Sequence, residues 1–165
     1  MQNVLHPTPP SPNFFFIKNS SSAQGDLGLA TRDSSVDRQF VEMLNGYRSS
    51  GGLTRLQELV CLNCDGKEVD ISMIASCISR RELICFEWQS HAWLPLFQFN
   101  GPELAPYPQL LPVVLELSCI FDPWELAHWF SQPNPWLSDR APADMLLTDL
   151  TAVLQAARAD RFVAS

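Results

Sequence analysis

Asp122 to Ala164, DPWELAHWFSQPNPWLSDRAPADMLLTDLTAVLQAARADRFVA, is the stretch on which the reading of this 165-residue chain turns. Asp122-Pro123 starts a helix by mechanism: the Asp side chain accepts from orphan amides, and Pro fits the first helical position. Trp124, Leu126, Trp129 and Phe130 ride on that helix, and Pro133 stops it. Pro133 and Pro135 stiffen the next turn, so Trp136 and Leu137 are presented with little entropy left to lose. Pro142 opens a short helix, and Thr148 or Asp149 opens the last one, with Leu150, Val153, Leu154 and Ala157 facing inward. Arg140 and Asp144 stand four apart, a spacing that predicts a tie between the loop and the short helix.

Upstream, Val36, Phe40, Met43, Leu44 and Tyr47 recur at the helical period after a cap at Ser34 or Ser35. Residues 1–33, rich in Pro, Ser and Gly, read as a disordered leader carrying one apolar island, Phe14 to Ile17. Thr54 is expected to cap a helix through Leu56, Leu59, Val60 and Asn63. Asp65-Gly66 marks a turn, and a further helix spans Ser72 to Ile78. The period then changes. Leu83 to Trp88 and Trp93 to Phe99 are rich in strand formers around a polar Gln89-Ser90-His91, which reads as a β-hairpin. Pro95 has no donor for a ladder, so the second strand is expected at an edge or a bulge. Pro102, Pro106 and Pro108 read as an extended linker, and Leu110, Val114, Leu117 and Phe121 as another amphipathic helix. The fold class is mainly α, with one small β-hairpin. Its parts are the leader (1–33), an N-terminal helical subdomain (34–82), the hairpin with its linker (83–109) and a C-terminal helical module (110–165).

Charge is uneven. Residues 1–82 carry a net charge of -1 and residues 83–165 a net charge of -6, of a total of -7. An acidic C-terminal half repels phosphate backbones and argues against nucleic acid there. Five cysteines with no secretory signal read as free thiols in a reducing cytoplasm. No apolar run approaches the roughly 20 residues that span a bilayer.

No catalytic constellation emerges. Cys61-x-x-Cys64 has the spacing of half a zinc site, but no second close pair completes four ligands. Glu125-x-x-His128 resembles half of a di-iron carboxylate site, and the second half is missing. Cys85 and His91 flank the hairpin turn without an orienting group, and phosphate-binding and nucleophile-elbow motifs are absent. Neither cofactor nor metal is expected. Residues 53–82, two short helices joined by a turn, have the outline of a degenerate helix-turn-helix. Arg55, Arg80 and Arg81 could touch phosphates, but Ser72 to Ser79 offers almost no long polar side chain for reading bases.

Trp129, then Asn134-Pro135-x-Leu137-x-x-Arg140-x-Pro142-x-x-x-Leu146 and an Ala-rich last helix, resembles the toxin-binding domain of Xre/MbcA/ParS-type antitoxins. Phe86-Glu87-Trp88, Trp93 to Phe99 and Ala156 to Phe162 extend the similarity to a related group of uncharacterised bacterial proteins. The resemblance implies a three-helix C-terminal module that engages a RES-type, NAD-consuming toxin. It also implies a non-enzymatic role and an upstream helix-turn-helix. Ser138-Asp139 stands where the family has Gly-Gly, so the turn is made without glycine, and Ala141 stands where the family has a capping Thr. The partner-contact set carried over is Trp136, Leu137, Arg140, Asp144, Arg158, Arg161 and Phe162. The alternative is a transcriptional regulator that binds DNA as a dimer through residues 53–82.

Overall fold

The computed structural model describes residues 29–62, 70–101 and 103–164. Phe14 to Ile17, Cys64 and Asp65-Gly66 lie outside them. The described chain is mostly helical, with small antiparallel sheets. Its α-helices are α1 (Leu29–Gly46), α2 (Ile71–Ser79), α3 (Leu110–Leu117), α4 (Pro123–Ser131), α5 (Pro142–Met145) and α6 (Leu150–Ala164). Strands β1 (Leu53–Arg55), β2 (Phe86–Trp88) and β3 (His91–Pro95) form one sheet in the order β1-β3-β2, and β4 (Phe99–Asn100) pairs with β5 (Ala105–Pro106).

The helix starts follow the expected chemistry. Asp122 accepts from the Glu125 amide at 2.8 Å while the Glu125 carboxylate accepts from the Asp122 amide at 2.9 Å, a complete capping box. Pro142 begins α5, and Asp149 accepts from the Ala152 amide at 3.0 Å ahead of α6. The hairpin also forms, with its second strand shifted: His91, expected in the turn, begins β3, and Leu96–Gln98, expected in the strand, make a 3-10 turn. Gln89 and Ser90, both at positive φ (48° and 60°), close β2 onto β3 as a two-residue turn whose twist matches the strands.

Four expectations are corrected. Helix α1 begins at Leu29 rather than at Ser35, so the last five residues of the proposed leader are helical. Residues 53–62 do not form the first helix of a helix-turn-helix. Gly51 and Gly52, at φ 103° and 87°, turn the chain into β1, and a 3-10 helix (Leu56–Leu62) follows. Thr54 sits opposite Leu94 in the ladder and not at a helix cap, because pairing with β3 outweighs the weak helical periodicity. Strand β3, with Pro95, is central and not an edge. The Leu96 amide donates to the Gly52 carbonyl at 2.9 Å, so by antiparallel alternation the Pro95 nitrogen faces the other side, where β2 does not reach. Lastly, the proline linker is partly structured, with Asn100 opposite Ala105 and Phe99 opposite Pro106.

A buried amide holds the corner after β3. Gln98, fully buried, accepts from the Ile84 amide and donates to the Ile84 carbonyl, each at 2.9 Å. Its side chain thus acts as a strand partner for a residue that the ladder does not reach.

Buried residues from Phe40 to Ala157 make one cluster. Helix α1 contributes Phe40 and Met43, the turn after it contributes Tyr47, and the helix packs on α4, whose Leu126, Ala127 and Phe130 are buried. The Tyr47 hydroxyl donates to the Ala127 carbonyl. Burial of Tyr47 pushes its phenol well above the usual range, so it stays a neutral donor. Phe40 stacks on Trp88 with ring centroids 3.7 Å apart, and Trp88 donates to Asp37 at 3.2 Å, fastening α1 to the sheet. Helix α3 packs on α6, and its Val113, Val114 and Leu117 are buried.

The α1–α4 contact is close because Gly46 has no side chain. A Cβ there would sit 2.3 Å from the Ser131 carbonyl oxygen. Gly46→Ala is therefore expected to force the helices apart and to lower stability by about 1–3 kcal/mol, read as a lower urea midpoint with an unchanged slope.

Candidate functional site

Asn134 organises the loop between α4 and α5 using every polar group it has. Its side-chain oxygen accepts from the Trp136 amide at 2.9 Å, and its carbonyl accepts from the Leu137 and Asp139 amides at 2.9 and 3.0 Å. Its amide donates to the Arg140 carbonyl at 3.1 Å, closing the loop as an isolated bridge. Pro135 to Leu137 make a 3-10 turn, which drives Leu137 into the core. Ser138 and Asp139 then both take left-handed backbone (φ 56° and 58°), the glycine-free turn that the sequence required.

Asp160 on α6 completes the arrangement. One oxygen accepts from the Trp129 indole at 2.7 Å and from the Asn134 side-chain amide at 2.8 Å; the other accepts from the Trp136 indole at 3.0 Å. One carboxylate thus joins α4, the loop and the last helix through three neutral donors. Trp136 is held at its amide and at its indole while 61% of its surface stays exposed. A fixed, amphipathic ring of this kind contacts a partner with little ordering cost.

Of the expected contact residues, the structure brings Trp136, Leu137 and Arg140 together in this loop, with Leu137 buried and Arg140 exposed. The tie between Arg140 and Asp144 is not made. Asp144 instead accepts from the Ser49 hydroxyl at 2.8 Å, linking α5 to the turn after α1, and no hydrogen bond or ion pair among the described residues reaches the Arg140 guanidinium. Arg158 and Arg161 converge on Glu116 of α3, at 3.5 and 2.8 Å. Phe162 is 84% exposed and lies opposite the buried stripe Val153, Ala156 and Ala157, so it does not seal the core.

The other candidates do not assemble. Glu125 is committed to the capping box, and His128 Nε2 is 3.9 Å from Glu42. Among the described residues, no three metal-ligating side chains converge. Arg80 is held by Glu82 through two 2.8 Å contacts, which raise the guanidinium pKa and lower that of the carboxylate. Arg55 lies over the Trp93 ring at 5.2 Å and pairs with Glu58 at 3.6 Å, while Arg81 is exposed. Cys85 is not an activated nucleophile, since burial pushes its thiol up to about 11, and His91 Nδ1 is occupied by the Gln89 carbonyl at 2.7 Å.

Sequence reasoning missed Asp160 and Glu116. Asp160 carried one visible signal, an acid between two arginines in the last turns of a helix, where the dipole disfavours it. No helix among the described residues is long and apolar enough to cross a membrane. No family model, no curated protein and no solved structure matches this chain.

Asp160→Asn leaves one acceptor oxygen for three donors. It is expected to cost about 1.5–3 kcal/mol in urea unfolding and to speed hydrogen exchange selectively at the Trp136 amide. Thiol alkylation at pH 8, mapped by mass spectrometry, should modify exposed Cys119 before Cys85, with Cys85 at least about tenfold slower, because a pKa about three units above the pH leaves roughly one thiol in a thousand ionised.

Proposed function

We propose that this chain is a non-enzymatic protein-binding module, similar to the toxin-binding part of an antitoxin, with the Asn134–Arg140 loop as its contact surface. The observation that carries this reading is Trp136, largely exposed yet fixed at both its amide and its indole. Exposed aromatic and Arg side chains on a rigid base are the typical anchors of protein interfaces. Trp136 would fill a partner's pocket, and the Arg140 guanidinium, which no described residue engages, would meet a carboxylate beside it. Leu137 supports the loop from within, and Asp160 acts as a positioning residue for Trp136. In this reading α4, α5 and α6 form the three-helix module, and the partner is an enzyme whose site is occluded, a RES-type toxin being the one the resemblance implies. The ends of α3 and α6, with Arg158 and Arg161 already on Glu116, are a secondary contact at most, and Phe162 supplies an apolar tip there.

The test is affinity capture of the tagged full chain from native lysate, with quantitative mass spectrometry. A stoichiometric enzyme partner is expected. Trp136→Ala and Arg140→Ala should each lower its recovery roughly tenfold or more while leaving the melting temperature within a few degrees. Recovery unaffected by both variants would overturn the assignment of the loop.

A further inference from the structure

A second surface lies beside this loop. Between α1 and α4 runs an open groove of about 510 Å³, floored by Val36, Phe121, Trp124 and Trp129, with the carboxylates of Asp122 and Glu125 on its rim. Val36 is 38% exposed on the face of α1 that looks into this groove, and the two tryptophans are half-buried. The Trp124 indole is committed to Gln39 at 3.2 Å and the Trp129 indole to Asp160, so both present ring surface to the groove, while Gln39, His128 and Gln132 add polar groups to its lining. Its chemistry suits an apolar segment that ends in a cation.

The chain carries such a segment. Phe14-Phe15-Phe16-Ile17 is the apolar island of residues 1–28, and Lys18, the one Lys or Arg in that stretch, follows it directly. We propose that Phe14 to Lys18 docks intramolecularly in the groove, its aromatic side chains against Trp124, Trp129 and Val36 and the Lys18 ammonium toward Asp122 and Glu125. The distances permit it. Eleven residues, 18 to 28, reach up to about 36 Å when extended, whereas Val36 lies seven residues into α1, about 10 Å along its axis. A tether of that length raises the local concentration of the segment to about the millimolar range, so even a millimolar intrinsic affinity gives substantial occupancy. The occupant would cover one flank of α4 and leave Trp136 and Arg140 free.

Trypsin cleavage after Lys18 reads the docked state directly. In the full chain, cleavage at this bond is expected to be about tenfold slower than in a synthetic peptide of residues 11–25, since only the undocked fraction is cut. Val36→Arg, which fills the groove and repels Lys18 from a half-exposed helical position, should restore the peptide rate without lowering the melting temperature. Replacing Phe14, Phe15 and Phe16 with Ser, compared with a peptide bearing the same changes, should do likewise and tests the same point from the tail. The proposal is overturned if the wild-type chain is cut at the peptide rate, or if neither set of substitutions speeds cleavage. It is also overturned if protection falls on dilution, which would assign the groove to the tail of a second copy. None of these readouts involves the partner of the Trp136 loop, so the two readings stand or fall separately.

Discussion

A single carboxylate on the last helix fixes how the C-terminal half is put together. Asp160 is short, so its oxygens stay close to α6, and the three donors it collects have to come to it. Trp129 brings the end of α4, and Asn134 and Trp136 bring the loop. Neutral donors suit this task, because the carboxylate keeps its charge partly solvated and no buried ion pair has to be desolvated. On another side of the same helix, Arg158 and Arg161 close on Glu116, which holds α3. Helix α6 is therefore tethered twice, by an acid of its own and by bases of its own. Its small inward residues, Val153, Ala156 and Ala157, let α3 approach closely between the tethers.

The N-terminal half is attached by a different means. Helix α1 meets α4 where Gly46 leaves room for the Ser131 carbonyl, and the Tyr47 hydroxyl is satisfied across the same junction. The aromatic set Phe40, Trp88 and Trp93 then joins α1 to the sheet. The groove lined by Val36, Gln39, Trp124 and Trp129 runs along the same two helices.

Much of the local structure was legible in the sequence. Asp122-Pro123, Pro142 and Asp149 act through their own backbones and side chains, so their helices start where local chemistry places them. Gln89-Ser90 turned the hairpin for the same reason. What the sequence did not disclose depends on distant partners. Thr54 resembles a cap until β3 arrives to pair with it, and Pro95 marks an edge only if its nitrogen has a strand to face. Arg140 and Asp144 have helical spacing, yet Ser49, 95 residues away, takes the carboxylate. Within the candidate site, the Asn134–Arg140 loop was visible as a stiff, aromatic turn. Asp160 was not, because a carboxylate near the end of a helix reads as surface until the folded chain brings tryptophans to it.

The five indoles also divide the molecule into separately observable joints. Trp88 donates to Asp37, Trp124 to Gln39, and Trp129 and Trp136 to the two oxygens of Asp160, while the buried Trp93 nitrogen finds no acceptor among the described residues. Each pairing spans a different contact: α1 to the sheet, α4 to α1, α4 to α6, and the loop to α6. The protein thus carries its own set of intrinsic labels. The indole protons would report in one spectrum which of its seams opens first under heat, denaturant or a bound partner.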